Sequence, residues 1–169
     1  FNIGTVYMTQ NGKRDDDFTP YVWKSADFGK TWTSIAANVP IGPVNVIRED
    51  PVNKDILYVG TDTGVYVTTD GGKAWHTIGT NLPAAYVHDL VIHPRDGDLV
   101  AATHGRSVWI FEDTGPLQQL TDPVRPRREA RDRLARTLAQ LGSLRPSSGA
   151  QPSTSNPQPQ QSQLLLSGR

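Results

Sequence analysis

The chain has 169 residues, with 17 basic and 17 acidic side chains that cancel, and no cysteine, which excludes disulfides and thiolate metal sites. With 36% hydrophobic residues and no apolar run near the length of a bilayer span, it holds material for a modest core and no membrane-crossing helix. The cancelled charge hides a split: nine Lys or Arg stand against fourteen Asp or Glu up to Pro116, and eight Arg against three acids beyond it, where Lys, Trp, Tyr and Phe are absent. The chain opens on Phe1 with no basic-then-apolar leader, so it reads as a piece of a longer protein and leaves export open.

In chain order, Thr5 to Gln10 (TVYMTQ) is the first β-type run. A polar stretch, Asn11 to Pro20 (NGKRDDDFTP), follows as a long loop, about ten residues longer than its later counterpart at Asp62. The octet Ser25 to Trp32 (SADFGKTW) then predicts a tight turn between two strands, and Thr68 to Trp75 (TTDGGKAW) repeats it 43 positions on. The Asp of such a turn can accept backbone N–H bonds, the Gly can take left-handed backbone, and the Trp can pack between sheets. Asn38 and Pro40 recur as Asn81 and Pro83, and Val22, Val65 and Val108 mark equivalent strands. One full repeat contains four β runs: Val44 to Glu49, Asp55 to Thr61, Val65 to Thr69 and Ala74 to Ile78. The repeat before it lacks a first strand. The one after it, Val87 to Asp113, has three strands and a decayed octet in which Asp113 and Gly115 survive but no Trp follows.

Four short antiparallel strands in about 40 residues predict an all-β, partial β-propeller of about two and a half blades. The expected division is an incomplete blade over 1–35, a full blade over 36–78, a closing blade over 79–116, a linker with an Arg-rich amphipathic helix over 117–144 and a disordered Pro/Ser/Gln-rich tail over 145–169.

The Ser/Thr-x-Asp-x-Gly-x-Thr-Trp pattern of the two octets resembles the Asp box, or BNR repeat, of sialidase-like propellers, sortilin-type receptors and xyloglucan-cleaving glycosidases. The string ATHGRSVWIFED, Ala102 to Asp113, resembles the final blade of large bacterial BNR proteins related to the sortilin ectodomain. The resemblance implies further blades elsewhere in a parent ring, an extracellular or periplasmic setting, and ligand binding on the loop face opposite the boxes. Two function classes follow from it. One is a module that binds a peptide or carbohydrate. The other is part of a glycoside hydrolase whose remaining acid and Arg residues lie on further blades. A purely scaffolding role for these blades is the third reading.

On the predicted ligand face, Asp62 is the catalytic candidate: Thr61-Asp62-Thr63-Gly64 partly resembles the Arg-Thr-Asp-x-Gly-Gly turn of xyloglucan-cleaving propellers, with Gly60 in place of Arg and Val65 in place of the second Gly. Ordinary hairpin chemistry accounts equally for Asp-x-Gly. His104 and Arg106 occupy the matching turn of the last blade, where an Arg can grip a carboxylate or pair with a neighbouring acid. Asp15, Asp16 and Asp17 could meet Ca²⁺ or a basic partner, although neither the Gly spacing nor the terminal Glu of a calcium loop follows, and a solvated acidic tip is the simpler account. His76, His88 and His93 show no metal-ligand spacing, so neither metal nor cofactor is assigned. The Arg-rich helix lacks the aromatic interleaving of nucleic-acid binders, and no nucleic-acid partner is expected.

Overall fold

The computed structural model describes residues 1–79, 82–119, 136 and 145–146. Three antiparallel sheets follow one another along the chain. The first contains β1 (Val6–Gly12), β2 (Asp17–Ser25) and β3 (Thr33–Ser34); the second contains β4 (Val44–Glu49), β5 (Leu57–Thr61), β6 (Val65–Thr68) and β7 (His76–Ile78). In the third, β8 (Val87–Ile92), β9 (Leu99–Thr103) and β10 (Val108–Phe111) pair in sequence order. A short helix, α1 (Gly115–Gln118), follows, and β11 (Arg145–Pro146) pairs with β10 through Ile110 and Trp109. This is the meander of propeller blades, and the fold is a partial β-propeller.

Packing between sheets explains the apolar pattern. Every residue of β5, LYVGT, is buried, because this strand has a neighbouring sheet on each side. Leu57 and Val59 face Val22, Val44 and Trp75 in one core, while Tyr58 lies with Val46, Val87, Leu90, Phe111 and Leu117 in the other. Gly60 marks the closest approach: a Cβ there would sit 2.6 Å from a Val87 methyl and 2.7 Å from a Val46 methyl. At the far side of the first sheet no further sheet stands among the described residues, and Val6, Met8, Phe28 and Trp32 are exposed.

The two octets close their turns as the residue types dictate. Asp27 Oδ1 accepts from Thr31 N at 2.9 Å and Oδ2 from the Thr31 hydroxyl at 2.7 Å. Asp70 Oδ1 accepts from Lys73 N and Ala74 N, and the Ser25 and Thr68 hydroxyls take the N–H of Gly29 and Gly72. Gly72 needs its residue type twice, for φ +98° and because a Cβ would meet Ile35 at 2.7 Å. Trp75 is buried and donates its indole N–H to Ile35 O at 2.8 Å, stapling the second sheet to the first. In the third turn Phe111 stands where the hydroxyl residue would be, and Thr114 instead donates to Gly97 O at 2.7 Å.

Two expectations change in detail, and a third falls largely outside the described residues. The Asn11 to Pro20 stretch is no long loop: β1 runs on to Gly12 and β2 starts at Asp17, so a 3₁₀ turn at Lys13–Asp15 and a left-handed Asp16 (φ 59°) cap a tall hairpin. Arg145 and Pro146, expected in the disordered tail, form β11, and the rest of that tail lies outside the described residues. The Arg-rich helix lies outside the described residues apart from Arg136, which is helical. No helix among the described residues is long and apolar enough to cross a membrane.

Candidate functional site

Strand alternation sorts the connections onto two ends of the sheets. The octet turns and the β4–β5 and β8–β9 turns share one end; the β1–β2, β5–β6 and β9–β10 turns and the segments entering β4 and β8 share the other. On that second end a row of polar and aromatic side chains crosses all three sheets.

Three register shifts build the row. Pairing skips Asn11 between Gln10 and Gly12, Asn45 between Val44 and Val46, and His88 between Val87 and Asp89. At Asn45 and His88 two residues oppose one, a bulge that re-aims one side chain off the regular pleat, whereas at Asn11 the extra residues lie on β2, between Asp17 and Tyr21. Asn11 Nδ2 donates to Asn45 Oδ1 at 3.0 Å, and Asn45 Nδ2 donates to Asp62 Oδ1 at 3.0 Å. Lys13, from the hairpin tip, places Nζ 3.2 Å from Asp62 Oδ2 and 6.0 Å from the centre of the Tyr86 ring. Tyr86 lies 4.5 Å from the His88 ring, and His88 Nε2 meets His104 Nδ1 at 3.3 Å. Tyr86, His88 and His104 line a shallow cavity of about 320 Å³. The His104 backbone is fixed by its N–H donating to Tyr86 O at 2.8 Å.

Of the residues singled out from the sequence, the structure brings Asp62 and His104 into this row. Arg106 is exposed two residues beyond; its carbonyl accepts the Trp109 indole N–H at 2.7 Å, and its side chain makes no ion pair among the described residues. Asp15 and Asp16 lie exposed on the hairpin tip. Asp17 is turned inward along the hairpin: it accepts the Tyr21 hydroxyl at 2.6 Å and Thr19 N at 2.9 Å, and the Tyr21 bond holds its carboxyl below the usual range. Among the described residues no group of three or more His, Asp or Glu side chains is placed to hold a metal ion.

Sequence reasoning missed Asn11, Lys13, Asn45, Tyr86 and His88. The signal for two of them was present: Asn45 and His88 are 43 positions apart, the repeat length, so the same bulge in two equivalent inner strands delivers both. The structure also explains why Gly60 departs from the Arg of the xyloglucanase-like turn. Backbone 60 lies against Val46 and Val87, where no side chain fits.

The second carboxylate that glycoside hydrolysis uses is not part of this row. Asp62 is held by an amide and an ammonium. Asp89, next along β8 from His88, is engaged elsewhere: its carboxylate takes the Arg48 guanidinium at 2.6 Å, while Arg48 Nε donates to Leu90 O at 2.8 Å.

No curated protein sequence matches the chain. Among solved structures, an ancestral GH74 enzyme superimposes with a TM-score of 0.54 at 19% identity over 64% of this chain, and the GH74 enzyme of Niastella koreensis with 0.53 at 20% identity over 66%. The chain spans 15% and 18% of those two proteins, and at such identity the likeness concerns the fold. The model of the family described as sortilin, neurotensin receptor 3, matches residues 20–119, most of the described sheets, and the chain therefore belongs to this Sortilin-Vps10 family.

Proposed function

We propose that these blades form part of a ligand-binding module, with a peptide or glycan docking on the face that bears Asn11, Lys13, Asn45, Asp62, Tyr86, His88 and His104. The single observation that carries this reading is the pair of equivalent bulges at Asn45 and His88, which turn polar side chains from two sheets onto one face, where Asn11 of the first sheet joins them through its bond to Asn45. Regular strands alone would have sent Asn45 and His88 along the pleat, and His88 is exposed on this face. A flat aromatic shelf at Tyr86 beside amide, carboxylate and ammonium groups suits a sugar ring or a peptide side chain with polar edges. The octet turns are Asp boxes in this reading, confined to the opposite end as scaffold. The module works outside the cytoplasm, within a ring completed by further blades.

The GH74 likeness keeps a second reading in view, with Asp62 as one acid of a glycosidase pair and its partner on another blade. The binding reading is favoured by Asp62's two hydrogen-bonding partners, which satisfy the carboxylate as a recognition element.

Glycan and peptide arrays probed with the chain, followed by Tyr86→Ala and Asp62→Asn, test both. Binding that falls at least about tenfold in Y86A and D62N supports the module. Binding that ignores both substitutions places the ligand elsewhere and overturns it. Xyloglucan hydrolysis by the complete parent protein that disappears in D62N, with its fold intact, establishes the glycosidase instead.

A further inference from the structure

We infer that His88 and His104 form a two-imidazole site for a borderline divalent transition-metal ion such as Zn²⁺, independently of whether the face binds a peptide or a glycan. Two nitrogens each about 2.0–2.1 Å from a tetrahedral zinc stand about 3.3–3.4 Å apart. His88 Nε2 and His104 Nδ1 stand 3.3 Å apart, with ring centres 5.4 Å apart and planes inclined at 56°. In the metal-free chain the pair is held by a single N–H···N bond whose direction depends on the tautomer. An ion in that place takes both lone pairs and replaces the shared proton.

The two nitrogens already stand at the separation the site needs, so the rings have only to turn about their own side-chain bonds. The bulge at His88 aims its side chain, and the Tyr86 carbonyl holds the His104 backbone. Of the neighbouring cations, Lys13 is paired with Asp62 and Arg48 with Asp89, while Arg106, two residues from His104, makes no ion pair among the described residues. Imidazole selects Zn²⁺, Cu²⁺ or Ni²⁺ over Ca²⁺ and Mg²⁺. With two protein ligands, a four-coordinate ion keeps two positions open to water or to a donor group entering the cavity beside Tyr86. The sequence hid this pair because its members are 16 positions apart, one on β8 and one in the turn after β9, with none of the short spacings that mark metal sites.

Zinc chloride titrated into the 169-residue chain at neutral pH, followed by calorimetry and by ¹⁵N NMR of the histidine rings, reads the site without any organic ligand. The expected result is saturable uptake of one ion per chain, with shifts at His88 Nε2 and His104 Nδ1 and none at His76 or His93. His88→Ala and His104→Ala each weaken uptake at least about tenfold, and calcium chloride gives no response. No saturable uptake, uptake that survives both substitutions, or shifts centred on His93 beside Asp96 overturn the proposal. If a variant does not fold, the ring shifts of the unsubstituted chain decide the matter alone. Failure here leaves the array experiment untouched, because zinc is the only probe.

Discussion

The two octets have equivalent Trp residues in unequal surroundings, and that inequality has a measurable size. Trp75 is 3% exposed and bonded through its indole N–H to Ile35 O, whereas Trp32, on the side of the first sheet that no other sheet among the described residues covers, is 37% exposed. About a third of a Trp surface of roughly 150–250 Å², at about 25 cal/mol per Å², is worth ~1.5–2 kcal/mol. The indole hydrogen bond adds ~1 kcal/mol, because its loss leaves a carbonyl unpaired. Trp75→Ala is therefore expected to destabilise the chain by ~2–3 kcal/mol more than Trp32→Ala, within the ~3–5 kcal/mol typical of buried Trp truncation. In urea unfolding followed by far-UV circular dichroism, with a slope near ~1.5 kcal/mol/M, the two midpoints should differ by about 1–2 M. Equal midpoints would refute the reasoning, since they would mean that the sheet-to-sheet contact under Trp75 contributes nothing beyond what an isolated blade supplies.

Other outcomes follow from single residues. Gly60→Ala forces a methyl between Val46 and Val87 and should cost ~1–3 kcal/mol by the same urea assay, although its backbone requires no glycine conformation. Asp50 is fully buried and accepts from Val52 N, Asn53 N, the Tyr58 hydroxyl and the Gln118 amide. Asp50→Ala should cost ~3 kcal/mol or more, and Gln118→Ala clearly less, in thermal melts. Asp27 is held at about 2, below its ordinary 3.8, chiefly by the Thr31 backbone N–H. A depressed folded value stabilises the protein above the unfolded value and is lost as pH falls through the folded one. Stability should therefore drop between about pH 4 and 2, and Asp27→Asn should flatten that part of the urea-midpoint curve; an unchanged slope would show that the turn does not bind the carboxylate.

How much of this was legible in the sequence depends on the range of the interaction that decides each residue's place. The octets, their 43-residue spacing and Val44–Glu49 could be read directly, because period-two burial and Asp-x-Gly turn chemistry are local. The hairpin over Asn11 to Pro20 could not: Pro20 and three consecutive Asp argue for a loop, and what overrides them is the cross-strand pairing of Gly12 with Asp17 and the Tyr21–Asp17 bond inside the same hairpin. At the candidate site, Asp62 and His104 were visible as turn residues. Asn45 and His88 carried only their 43-residue spacing as a signal, since a bulge is a property of pairing with another strand and leaves no composition signal in its own.

The same residue type therefore does opposite work at the two ends of the sheets, and the identity of its donors is what separates the roles. Asp27 and Asp70 are satisfied by N–H and hydroxyl groups of their own turns, which no ligand can displace without disrupting the turn. Asp62 is satisfied by side chains, Asn45 and Lys13, that belong to two other segments and can rotate away. Lys13 is half-exposed at the end of a flexible stem on a hairpin tip, so an incoming hydroxyl or ammonium can take its place on Asp62 at little cost. A carboxylate whose partners are exchangeable is suited to recognition, and one whose partners belong to its own turn is suited to holding that turn. On that distinction the proposed docking face is the Asp62 end, where partners can be exchanged while the blades remain folded.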